Sequence, residues 1–99
     1  MPTKRRTLPR LRVADLSIGH LTLPDRQLIG DPATPGVSLT GEYGALIYLP
    51  SDRADLAQRR EAGYSDAFLR IMRRATRESF THVRFDCDGP RLPDLPFFK

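Results

Sequence analysis

Residues 64–80, YSDAFLRIMRRATRESF, constrain the fold of this chain more than any other stretch. Phe68, Ile71, Met72 and Ala75 recur at i, i+3, i+4 and i+7, the spacing that puts side chains on one face of an α-helix. Ser65 is a suitable N-cap and Asp66 suits the positive end of the helix dipole. A helix with one apolar stripe must cover something, and the next residues supply it. In THVRFDCD, Val83, Phe85 and Cys87 alternate with His82, Arg84, Asp86 and Asp88, as a half-buried strand requires.

The same reading extends upstream. LRVADLSIGHLTL reads as a strand with Ala14, Leu16, Ile18 and His20 on one face, His20 being a hydrogen-bonded boundary residue. Pro24 fits the first position of a short helical turn. Residues 30–41 are dense in Gly, Pro and Thr and read as a loop. YGALIYLP carries Tyr43, Ala45, Ile47 and Leu49 on one face and Leu46 and Tyr48 on the other, so it is a central strand. SDRADLAQRREAG offers Asp52 as an N-cap and a weakly amphipathic helix. The expected fold is α+β, a small two-layer sandwich of about three strands with one major helix packed on the sheet. If the strands flanking that helix are parallel neighbours, the crossover between them is right-handed.

At 99 residues there is room for one domain with a small core. One cysteine cannot form an internal disulfide, and no apolar run is long enough to cross a bilayer. These features point to a cytoplasmic protein. The net charge of +4 arises because Lys4, Arg5, Arg6, Arg10 and Arg12, with no acidic residue among them, form a basic N-terminal arm over residues 1–12, expected to be loose. Residues 13–99 hold eleven basic against twelve acidic residues. The arm is a candidate for phosphate contacts, but the body is not a basic domain.

FDCDGP, residues 85–90, is the one cluster of chemistry-bearing groups. Alternation buries Cys87 as an inert thiol and points Asp86 and Asp88 outward together. A calcium loop needs glycine at its sixth position, where Arg91 stands, and the Asp-x-Asp-Gly pattern of haloacid-dehalogenase-type phosphatases needs far more chain than the eleven residues that follow Asp88. The simplest account pairs Asp86 with Arg84 or a neighbouring strand and lets Asp88 cap the Gly89-Pro90 turn. No catalytic residue, metal ligand or cofactor site is assigned. Arg70, Arg73, Arg74 and Arg77 repeat at i, i+3, i+4 and i+7 and form a stripe suited to an acidic surface, if it is not a solvated face. With Tyr48, Asp86 and Asp88 on an exposed sheet face, they make the candidate partner-binding residues, and that face could also meet a second copy in a homodimer.

LSIGHLT, YGALIY, GYSDAFLRIMRRA and VRFDCDGPRLPDLPFF, in this order, resemble an uncharacterised family of short proteins of unknown function found on proteobacterial plasmids and integrative elements. The resemblance covers most of residues 16–98 and carries over no catalytic residue. It implies a non-enzymatic accessory protein of a mobile element that acts by protein binding, an anti-defence inhibitor being one version. An accessory nucleic-acid binder using the arm is the alternative, and a metal-dependent hydrolase on Asp86 and Asp88 a distant third.

Overall fold

The computed structural model describes residues 8, 10–49 and 52–98. The apolar stripe forms helix α3, Asp66–Arg77, in which Phe68, Leu69, Ile71, Met72 and Ala75 are buried. Ser65 Oγ accepts the Phe68 amide at 3.2 Å, so the expected N-cap is made. The strand after it, β4 (His82–Asp86), buries Val83 and Phe85 on the face turned to α3. Phe68, Met72, Val83 and Phe85 are each fully shielded from solvent, worth about 1.5–3 kcal/mol apiece.

Four strands form one sheet in the order β1-β4-β3-β2, with β1 Val13–Ser17, β2 Val37–Gly41 and β3 Gly44–Tyr48. β3 lies inside the sheet as expected, contributing Ala45 and Ile47 to the core. β2 corrects the reading of residues 30–41 as loop throughout. A two-residue turn at Glu42 and Tyr43 folds β2 back on β3, and the turn glycines that suggested a loop are instead the paired ends of the hairpin, Gly41 opposite Gly44. Ser38 forms a bulge in this pairing, which blurs the alternation that would have marked β2.

The condition for a crossover between the last two strands is not met, because β3 and β4 pair antiparallel. Two helices separate them, α2 (Arg53–Glu61) and α3, and this helical hairpin returns the chain in the opposite direction. The parallel partner of β4 is β1. β1 also stops sooner than its alternation suggests. Ser17 Oγ accepts the Gly19 amide at 3.1 Å and starts a 3-10 turn over Ile18–His20. Helix α1, Leu23–Ile29, follows with Leu23, not Pro24, at its first position. Thr22 and Asp25 cap it reciprocally.

Asp25 ties α1 to α3. Fully buried, its carboxylate accepts the Ser65 amide at 2.9 Å and the Ser65 hydroxyl at 2.5 Å. It thereby holds the residue that caps α3.

Candidate functional site

Two distant segments of the chain dock on each other near the end of β1. The fully buried His20 ring contacts Pro96 O through Nδ1 at 2.7 Å and accepts the Leu92 amide on Nε2 at 3.0 Å. A carbonyl can only accept, so Nδ1 carries the proton and the tautomer is fixed. Ser17 donates its amide to Pro90 O at 2.8 Å, and Phe98 donates to Gly19 O at 2.6 Å. Phe97 covers Gly19 so closely that a Cβ there would overlap its ring, and it meets His20 edge-on with centroids 5.4 Å apart. Arg26 closes the far end by donating to Phe98 O at 2.7 Å. The residues of SIGHLT and of GPRLPDLPFF therefore serve each other's placement. That explains these motifs as architecture.

FDCDGP divides differently from its expected alternation. β4 ends at Asp86, and the chain turns before Cys87 can enter the core, so Cys87 is exposed. The turn is built by Asp86, not Asp88. Asp86 Oδ1 accepts the Asp88 amide at 2.8 Å and Asp86 O accepts the Gly89 amide at 3.0 Å. Gly89 is required because a Cβ there would overlap the Leu16 carbonyl. Arg84 does not pair with Asp86. Its guanidinium is taken by Asp15 on β1 through two bonds, of 3.0 and 2.9 Å, which hold the Asp15 carboxyl below the ordinary carboxylate value.

Ligand atoms of Asp86, Cys87 and Asp88 lie within 4.8 Å of one another, yet one Asp86 oxygen is already engaged by the turn. Local desolvation, with the Asp88 and Asp86 charges, pushes the Cys87 thiol up. A thiol so placed is a poor nucleophile at neutral pH. The two carboxylates are also not beside Tyr48, because Asp86 stands opposite Gly44 while Tyr48 stands opposite His82. Four strand residues separate them, about 13 Å.

The outward sheet face carries Val13, Leu46 and Tyr48, with Leu39 of β2 opposite Leu46 and 68% exposed. Its centre is occupied by the Asp15–Arg84 pair. The Tyr48 ring is engaged by Arg59 of α2, whose guanidinium carbon lies 4.8 Å from the ring centroid. Arg59 is fully buried, with Asp55 at 3.7 Å and Met72 Sδ at 3.7 Å. Among the described residues its Nε and Nη2 have no hydrogen-bond partner, nor has the buried Tyr64 hydroxyl, which burial pushes up to about 12.

The arginine stripe splits. Arg74 is bound at 3.0 Å to Glu78 and at 2.7 Å to Asp94 of the C-terminal segment. Arg70, Arg73 and Arg77 turn the other way, toward α2. There they meet Arg53, a residue the sequence reading left out, and line a groove of about 490 Å³ with Asp52, Leu56 and Thr76. Among the described residues none of these four arginines makes an ion pair, whereas Arg59, Arg60, Arg74 and Arg84 all do. The signal available beforehand was the repeat in α3. Arg53 could be added only once α2 was known to lie alongside.

Of the basic arm, Lys4, Arg5 and Arg6 lie outside the described residues. Arg10 is exposed, and Arg12 lies over the Phe80 ring at 5.2 Å while its carbonyl accepts the Thr81 and His82 amides. The Arg12 backbone is thus bonded to the start of β4. Among the described residues no helix is long and apolar enough to cross a membrane.

Residues 13–99 match the C-terminal domain of a family of unknown function, DUF5983. The chain belongs to this family. No curated protein matches it. No solved structure matches it either. The matched span begins at the first residue of β1 and takes in every helix and strand described above. The basic residues of the arm lie before the family domain, and the arginine groove lies inside it.

Proposed function

We propose that this DUF5983 domain is a non-enzymatic accessory module of a mobile genetic element that acts in the cytoplasm by binding another protein, with the α2/α3 groove as its docking surface. An anti-defence inhibitor is one concrete form. The observation that carries the reading is the groove itself: four arginines without ion pairs among the described residues, set around Leu56 and Thr76. Four like charges gathered around one lining carboxylate, Asp52, repel one another, and an incoming acidic surface relieves that cost. The sheet face is less suited, since its central charges already pair and Tyr48 is held by Arg59.

The test is affinity capture from the native host with the wild-type chain and with Arg53, Arg70, Arg73 and Arg77 each replaced by Glu. The expected result is a partner retained by the wild type and lost by the variant, with circular dichroism unchanged. Identical captured proteins would remove the groove from the account. Capture of nucleic acid alone would favour the alternative reading.

A further inference from the structure

We propose that the occupant of the α2/α3 groove is an acidic amphipathic α-helix of the partner; this rests on the protein-binding reading above. Arg70, Arg73 and Arg77 lie on one side of α3, with seven residue steps from first to last, about 10 Å along its axis. Carboxylates at i, i+3 or i+4, and i+7 of a second helix repeat over the same length. Arginine favours this pairing because its planar fork takes a carboxylate through two bonds. Arg53 adds a fourth cation from the first turn of α2, where the helix dipole is positive.

Leu56 and Thr76 also line the groove, and Leu56 gives the apolar side of an amphipathic helix its contact. A third helix laid over two adjacent ones is ordinary ridge-and-groove packing. The same features disfavour a nucleic-acid backbone. Asp66 pairs with Arg60 where α2 ends and α3 begins, so among the described residues no continuous basic track runs from the groove along the two helices. The Leu56 side chain has nothing to offer phosphodiesters.

The test uses a fluorescein-labelled amphipathic peptide of about 18 residues, with glutamates spaced as above and leucines on the opposite face. Anisotropy is titrated with the full chain. A scrambled peptide of equal charge, a glutamine-for-glutamate peptide and a DNA duplex of about 20 base pairs serve as competitors. The acidic helix is expected to bind at least about tenfold tighter than either control peptide, and Arg73→Glu with Arg77→Glu is expected to abolish that preference while the thermal melt stays in place. A Leu56→Ser variant should weaken the helix more than the scrambled peptide. Equal binding of the scrambled peptide, indifference to the arginine variant, or displacement by the duplex at lower concentration would overturn the proposal. If capture from the host depends on the groove but the peptide does not bind, the helical occupant is wrong and the docking surface stands.

Discussion

Replacing His20 by alanine tests whether the paired motifs are architectural. The ring is fully buried and joins residues 92 and 96 to the 3-10 turn, through bonds of 3.0 and 2.7 Å. Alanine leaves the Leu92 amide and the Pro96 carbonyl without their partner. Each orphaned group costs about 1–3 kcal/mol when wholly buried, and the lower end applies here because Leu92 is half-buried and Pro96 exposed, so water reaches both. Loss of the edge-on contact with Phe97 adds about 0.5–1.5 kcal/mol. The sum is about 3 kcal/mol, a large share of the ~5–15 kcal/mol typical of a domain this size. Urea unfolding followed by circular dichroism should give that loss, and the melting temperature should fall by at least ~10 °C. Hydrogen exchange should quicken at the Leu92 and Phe98 amides first. A loss below about 1 kcal/mol, with those amides still protected, would refute the architectural reading of His20.

Three further outcomes follow from other sites. Arg59→Met should cost less than Arg59→Ala, because both lose the ion pair with Asp55 and the contact with Tyr48 but only methionine keeps the volume; Arg59→Ala should cost about 3 kcal/mol or more, both read by urea unfolding. The Asp15–Arg84 pair stabilises at neutral pH and loses that contribution as pH falls below the ordinary carboxylate value of 3.8 toward the lowered folded value; being exposed to solvent it contributes little, and Asp15→Asn should remove that small part of the acid unfolding curve. Cys87, although exposed, should react slowly with iodoacetamide at neutral pH, and Asp88→Asn should speed the reaction, measured as the pH profile of alkylation.

Segments whose own periodicity matched their burial were legible in the sequence. α3, its Ser65 cap, the buried Val83 and Phe85 of β4 and the inner position of β3 all follow from residues close together in the chain. What escaped depends on residues far apart. β2 is short, bulged at Ser38 and bounded by turn residues, so it becomes a strand only because β3 is there to pair with it. Cys87 was placed in the core by extending an alternation one residue past the turn that Asp86 and Gly89 impose. His20 was legible as hydrogen-bonded, but its partners are more than seventy positions away.

The candidate site was half legible for the same reason. The repeat at Arg70, Arg73, Arg74 and Arg77 marks one helix face, but Asp94 removes Arg74 from it and α2 adds Arg53. Neither exchange has a local signature. Asp86 and Asp88 stood out by composition, and the fold uses the first of them to close a turn.

A charge-swap measurement addresses the groove most directly. Arg73→Glu with Arg77→Glu, titrated against the acidic helical peptide and against its counterpart with lysines in place of the facing glutamates, separates contact across the groove from general attraction. Groove docking predicts that the variant loses the acidic peptide and gains the lysine peptide, with a coupling of at least about 1 kcal/mol between the two changes in a double-mutant cycle. Changes that add without coupling would contradict it.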